Sequence, residues 1–479
     1  MSFTHALKWS FLSELAVKAI QPMVFIVLAR LLTPEDFGVM TAAMMVIAFS
    51  QIFWEAGMGK ALIQRQTQIE EAANAAFMIN IGLGVVIACL LYLFAQPIAQ
   101  IFFQDDRVTA VLQVMTLQVL LGALGSVHTA LLQKEMGFKK LFWVRVSTVA
   151  LPGLASIPLA LNDWGYWALV TGTLVGQLAQ VMMLWWLSHW RPGLTRDIYV
   201  TKDLARFALW VGSTGFMVWF YTWVDALIVG MYLGAHELGL FRIGNQFSTM
   251  IFGTLLGSIA PVLYSHFVQF DQNKLRMRIA SIKVMKTLTL ISIPIGIMLF
   301  QLSAPIGSAI LGDKWHGVGL VIGLMALVHG YAWVVGMSGE IYRAMNKPSY
   351  ESIMAGSTMF IYIAAYFYSI QYGLDVFLWT RLGLCLLGLV VHLMFLRKLL
   401  EIHVMPILYY ITTVTTVSGV IVFMIDQLIL VNTSNDWLRI LIGGTLSSLF
   451  IAVVIYYSER NGVLKDVLAL LGKRAGSVA

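Results

Sequence analysis

Apolar runs of about 20 residues recur from one end of this chain to the other, and each is long enough, wound as a helix, to cross the hydrocarbon layer of a bilayer. Inside that layer only helices and closed barrels satisfy every backbone polar group. The runs, and the polar stretches between them, predict fourteen spans. The first seven cover 9–30, 38–57, 75–97, 108–132, 143–161, 165–188 and 208–230. The second seven cover 239–263, 286–304, 318–341, 351–371, 376–396, 406–426 and 437–457. Charged residues make up 11% of the 479 positions, against about 25% in soluble domains, so water cannot solvate most of the outer surface. The sequence therefore describes an all-α polytopic membrane protein.

The net charge of +7 suggests nucleic acid until the basic residues are placed on the span map. With a cytoplasmic N-terminus, Lys134, Lys139, Lys140 and Arg145 fall on the inner side, as do Lys274, Arg276, Arg278, Lys283 and Lys286. So do Arg196, Arg206, Arg460, Lys465, Lys473, Arg474 and the other lysines and arginines, with few exceptions. Arg30, Arg107, Arg242, Lys314, Arg381 and Arg439 lie on the outer side, and Lys18 lies inside a span. That bias is the positive-inside rule at work. It predicts both termini in the cytoplasm and a multi-pass protein of the bacterial inner membrane, and it leaves nothing for a nucleic-acid partner. Trp54, Trp164, Trp167, Trp185, Trp186, Trp190, Trp315 and Trp437 fall near span ends, where indole rings settle at the headgroup level.

A turn, RLLTPEDFGVM at Arg30–Met40, returns in worn form as MYLGAHELGLF at Met231–Phe241. A shift of 201 residues sets Trp9 on Trp210, Leu32 on Leu233, Asp36 on Glu237 and Gly38 on Gly239. The spacing predicts two six-helix bundles, 1–190 and 191–400, with two further helices and a cytoplasmic tail in 401–479. Six is even, so both bundles start in the same direction, as in transporters built from parallel repeats. At the first turn Pro34 ends the preceding helix, Glu35 and Asp36 suit the start of the next, and Gly38 is expected to let the chain turn closely.

Ionisable side chains inside spans are costly, so each is a functional candidate. Glu14 and Lys18 lie four apart on one face of the first span, either as a self-neutralising pair or as a polar face toward an aqueous cavity. Asp225 lies in the seventh span, as a cavity or coupling carboxylate or as a satisfied structural one. Arg242 opens the eighth, with Asn245 and Gln246 one turn on, a set suited to phosphate or sugar hydroxyls unless Arg242 pairs with Asp225. Arg145 could receive an anionic headgroup, and Arg381 could either do so or snorkel to the interface. Glu340 and Arg343 read as a structural pair, and His128, His329 and His392 each stand alone on their spans. Gly172 and Gly176, Gly253 and Gly257, and Gly319 and Gly323 suit close helix packing.

Enzyme signals are poor. Asp105 and Asp106 read as a solvated turn, and no phosphate-binding glycine loop, nucleophile elbow or metal cluster is present. Cys89 and Cys385 sit in apolar spans, which disfavours a disulfide or a thiolate metal site. Glu14 and Lys18 interrupt the first apolar run, so a cleavable signal peptide is not expected there. Neither a metal nor a cofactor is expected.

Several stretches resemble the polysaccharide flippases of the multidrug/oligosaccharidyl-lipid/polysaccharide exporter (MOP) superfamily. They are ARLLTPEDFGVMTAA, FWEAGMGKALIQRQ, GLFRIGNQF, PVLYSHFVQFDQNKLRMR, LGDKWHGVGLVIGLMAL and EIYRAMNKPSY. The likeness is to the colanic-acid, teichuronic-acid and lipopolysaccharide exporter branch. It implies a MATE-like pair of bundles around a central cavity that alternates between inward- and outward-open forms. It also implies a polyprenyl-pyrophosphate-linked oligosaccharide as cargo, used for surface or extracellular polysaccharide, and polymerase and export machinery as partners. For the family's often cationic cavity, this chain offers Lys18, Arg145, Arg242 and Arg381. Trp219, Tyr221 and Trp223 could stack on sugars. The alternatives are a drug or organic-cation antiporter of the same fold, which would want the acids Glu14 and Asp225, and a membrane glycan polymerase, which would want a larger outer loop.

Overall fold

Thr33 fixes the start of the second helix. Its hydroxyl accepts from the Asp36 backbone N–H while the Asp36 carboxylate accepts from the Thr33 N–H, and Pro34 takes the first helical position, where no N–H is needed. Asp105 and Asn273 cap two later helices with their side chains. This computed structural model describes residues 3–459 apart from 56, 194–197, 257–258, 271–272, 348 and 431–432. Arg196, Gly257, Arg460, Lys465, Lys473 and Arg474 lie outside the described residues. The described chain is helical and contains no β-strand.

The chain divides into two compact units, Met1–Arg242 and Ile243–Ala479. The first holds α1 (Phe3–Leu31), α2 (Pro34–Trp54), α3 (Met58–Gln64), α4 (Ile69–Phe102), α5 (Asp106–Lys134), α6 (Phe138–Leu161), α7 (Tyr166–Leu187) and most of α8 (Ile198–Leu256). Within it α1 packs on α6, α6 on α7, and α5 contacts α2, α4 and α7. The second unit holds α9 (Ile259–Val268), α10 (Lys274–Gln301), α11 (Ser303–Ile306), α12 (Val318–Val335), α13 (Ser338–Ala344), α14 (Ser349–Ser369), α15 (Leu374–Leu400), α16 (Val404–Ile425) and α17 (Asp436–Glu459). There α10 packs on α12 and α16, and α15 packs on α12 and α14.

Thirteen described helices are long and apolar enough to cross a bilayer. The expected fourteen differ at one joint. The spans predicted at 208–230 and 239–263 fall in one 42-residue stretch of α8, Gly215–Leu256. Gly234 breaks it, with φ 82° and ψ −172°, a conformation open to glycine because no Cβ collides with the backbone. At about 1.5 Å of rise per residue, the stretch 215–233 alone runs to about 28 Å, enough to cross the hydrocarbon.

The outward faces are apolar. Leu93, Phe360 and Trp186 are at least 72% exposed, as lipid-facing side chains should be. Hydroxyls inside spans return to their own helix: Thr148, Thr173, Thr222 and Thr289 each donate to the carbonyl four residues earlier, since hydrocarbon offers no other partner.

The repeated turn is also a contact. An ideal Cβ on Gly38 would stand 1.8 Å from the Ala235 carbonyl oxygen, and one on Gly239 would stand 1.8 Å from the Pro34 carbonyl oxygen. Pro34 corresponds to Ala235, and Gly38 to Gly239, under the 201-residue shift. Between them His236 Nδ1 lies 2.6 Å from Glu35 Oε1, a pair separated by the same 201 residues. The two copies of the turn therefore cross about a local two-fold axis, backbone against backbone. This corrects the role expected of Gly38: it lies inside α2 and is small because another helix crosses there, while the turn itself rests on Thr33 and Pro34.

Other glycine expectations divide. Gly172 and Gly176 face Ser156 and Pro152 of α6, and Gly319 and Gly323 face Ala304 and Ser303. Gly253 has open space where a Cβ would be.

Candidate functional site

Three predicted residues converge in the first unit. On α1, Glu14 lies 3.8 Å from Lys18, one turn away. From α6, Arg145 brings Nη1 to 3.6 Å from the same Glu14 carboxylate. One acid between two cations leaves the cluster net positive. All three side chains keep some exposure, so their attraction is worth little to stability.

Arg145 also lines a cavity of about 380 Å³ between α1, α5, α6 and α7. A second cavity, of about 350 Å³, adjoins it and is walled by α2, α5, α7 and the segment around Lys60. Thr129, Gln133 and Gln180 line both. Gln51 and Gln177 line the second, where Gln51 donates to Glu55 at 2.5 Å. The lining carries two buried polar atoms without a protein partner: the Ser13 hydroxyl in the first cavity and the Trp54 indole N–H in the second. These helix segments are the ends that the charge bias assigns to the cytoplasm. Gln177 lies some ten residues inside the end of α7, so the second cavity extends roughly 15 Å along that helix.

The remaining predicted residues lie elsewhere. The Arg242 guanidinium sits 4.6 Å from the centre of the Trp223 ring, a cation–π contact. Asp225 is 5% exposed and accepts from the Ala226 N–H. In the second unit Asn245 Oδ1 lies 3.2 Å from His329 Nε2, and Thr249 Oγ1 lies 3.1 Å from the same nitrogen. His329 thus has polar company that its isolation along the chain did not suggest. Gln246 is half-buried on α8, and Arg381 lies one turn from Cys385 on α15, whose thiol donates to the Val328 carbonyl. Among the described residues no group of three or more His, Cys, Asp or Glu is placed to hold a metal ion.

Two expected surface features took other roles. Trp54 and Trp315, expected at the headgroup level, are 5% and 2% exposed, and Trp54 packs against Gly122 beside the cavity. The Glu340–Arg343 pair forms as expected at 2.7 Å, and Glu351 joins it. Asp105 caps α5 and chelates Arg107 through both carboxylate oxygens. Partial burial works to raise the Asp105 carboxyl, but the Arg107 hydrogen bonds and charge outweigh it and hold it below the usual carboxylate range.

Sequence reading missed Gln51, Gln133, Gln177, Gln180, Ser13 and Trp54. A faint signal existed: Gln177 and Gln180 are three apart and Thr129 and Gln133 four apart, so each pair shares a helix face, and carboxamides are uncommon in hydrocarbon.

The fold is all-helical, with thirteen described helices long and apolar enough to cross a membrane and a polar recess in its first unit. The same fold is seen in the lipid II flippase MurJ in an inward closed conformation, with a TM-score of 0.75 over 94% of this chain and 99% of that one at 14% identity. An inward-facing multidrug resistance MATE family transporter of the MOP superfamily gives 0.61 over 80% and 96% at 13% identity. The chain belongs to the polysaccharide biosynthesis protein family, whose model matches residues 27–319. It is 26% identical to the succinoglycan biosynthesis transport protein ExoT of Rhizobium meliloti over 68% of this chain, and 22% identical to the teichuronic acid biosynthesis protein TuaB of Bacillus subtilis over 76%. It is also 22% identical to the lipopolysaccharide biosynthesis protein WzxC of Escherichia coli over 67%. The matches span 66%, 76% and 65% of those relatives' own lengths.

Proposed function

We propose that this protein is a flippase that carries polyprenyl-pyrophosphate-linked oligosaccharide units across the bacterial cytoplasmic membrane for surface or extracellular polysaccharide. Both termini face the cytoplasm, and a polymerase and export machinery receive the product. The observation that carries this reading is the polar cavity lined by Arg145, whose guanidinium also meets Glu14, itself paired with Lys18. A lipid-linked glycan has a bulky hydroxylated head, a doubly charged linker and a hydrocarbon tail. The head needs a hydrated polar recess, the linker needs cations, and the tail stays in lipid. The cluster offers the linker charge-assisted hydrogen bonds. Translocation follows by alternating access, with Arg242, Asn245, Gln246, Arg381 and Asp225 as further contacts along the path.

A proteoliposome assay tests this. Purified protein should move a fluorescent polyprenyl-pyrophosphate-linked glycan to the opposite leaflet faster than empty liposomes do, and Arg145→Ala should lower the rate. Efflux of cationic dyes without glycan-lipid movement would establish the drug-antiporter reading instead.

A further inference from the structure

We infer that the shared wall of the two first-unit cavities is a sugar-reading site, and that it selects an uncharged, hydroxyl-rich residue next to the pyrophosphate linker. This rests on the flippase reading and specifies what its cavity recognises. The wall common to both cavities, Thr129, Gln133 and Gln180, carries no charge. Arg145 lines only one cavity, and Lys60 only the other. A linker anion held at Arg145 therefore places the first sugar against carboxamides.

Carboxamides both donate and accept, which matches a hydroxyl, itself donor and acceptor. They cannot neutralise a carboxylate. A uronic acid on this wall would meet neutral dipoles, with Arg145 already committed to the linker and to Glu14, and with Lys60 of the second cavity offset by Glu55 in the same lining. The two buried atoms without protein partners strengthen the assignment. Ser13 and Trp54 line the first and the second cavity, from α1 and the end of α2, and Ser13 Oγ and Trp54 Nε1 each lack a hydrogen-bond partner among the described residues. Most buried polar atoms in folded proteins have a partner, so those without one in a cavity mark where a ligand supplies it. Ring hydroxyls are of the right type for both, and the Trp54 ring, backed by Gly122, gives the sugar an aromatic neighbour.

The test compares binding of three lipids to the full-length protein in nanodiscs: undecaprenyl pyrophosphate, its hexose-linked form and its hexuronate-linked form. Wild type should bind the hexose form roughly tenfold more tightly than the sugar-free lipid, and the hexuronate form no better than the sugar-free lipid, as expected of sites that hydrogen-bond a ligand's hydroxyls. Gln133→Leu with Gln180→Leu should bring the hexose preference close to one. Ser13→Ala, a smaller change, should cut it by a few-fold. A folded variant of either kind that keeps the wild-type preference overturns the proposal, as does tighter binding of the hexuronate form. Failure of wild type to bind any of the three lipids would instead overturn the flippase reading itself.

Discussion

Adding one methyl group at Gly38 should pry apart the crossing of the two repeated turns. The new Cβ would stand 1.8 Å from the Ala235 carbonyl oxygen, against about 3.3 Å for an ordinary close carbon–oxygen contact. The two backbones must therefore separate by about 1.5 Å, because a carbonyl has no rotamer into which to retreat. The same movement stretches the 2.6 Å contact of His236 with Glu35 to about 4 Å, beyond hydrogen-bonding distance. Overpacking of this kind costs about 1–3 kcal/mol. The Glu35–His236 pair adds little, since both side chains are well exposed, at 39% and 44%. For a unit of this size each kcal/mol lowers the melting temperature by about 2–4 °C, so Gly38→Ala should melt about 2–12 °C below wild type. The local symmetry sharpens the prediction. Gly239→Ala should cost the same, and the double variant should cost clearly less than the two together, since the second methyl enters a gap that the first has opened. Melting of detergent-solubilised protein followed by tryptophan fluorescence reads all three. A Gly38→Ala melting temperature within about 1 °C of wild type, or two strictly additive losses, would refute the reasoning.

Asp105→Ala should destabilise the start of α5 by about 1 kcal/mol at neutral pH, the usual worth of such a cap. Because the folded carboxyl is held below its unfolded value of about 3.9, that contribution is complete above this pH and is lost as the pH falls through the folded value. Melting of wild type and variant should therefore converge on acidification, and a gap that widens would contradict this. Arg145→Ala and Lys18→Ala should each lower glycan-lipid export several-fold in a complementation assay while membrane insertion is retained, and export at wild-type level in both would remove the cluster from the path. Arg242→Ala should likewise lower export if the path runs by Trp223, scored in the same assay. Cysteines introduced at Lys139 and Lys274 should both react from the cytoplasmic side, and labelling from opposite leaflets would overturn the topology.

The sequence settled the helices because hydrocarbon leaves the backbone no other partner. Runs of apolar residues had to become spans. The sequence also placed Gly38 and Gly239 at equivalent positions, 201 residues apart. It also paired Glu14 with Lys18, because four residues is one helical turn. What it did not reveal is that the repeated turns touch or that His329 meets Asn245, because these depend on how helices distant in sequence are laid side by side.

The site divides the same way. Charges in spans stand out by their cost, so Glu14, Lys18 and Arg145 were visible one at a time. Their meeting was not, since Arg145 arrives on α6, well over a hundred residues after Glu14. The glutamines were harder still: a carboxamide in a helix is unremarkable until α2, α5 and α7 turn Gln51, Gln133, Gln177 and Gln180 toward one space. Periodicity and burial cost act along a single helix and can be read from its residues. A cavity is a property of the gap between helices, and only tertiary packing decides which side chains face it.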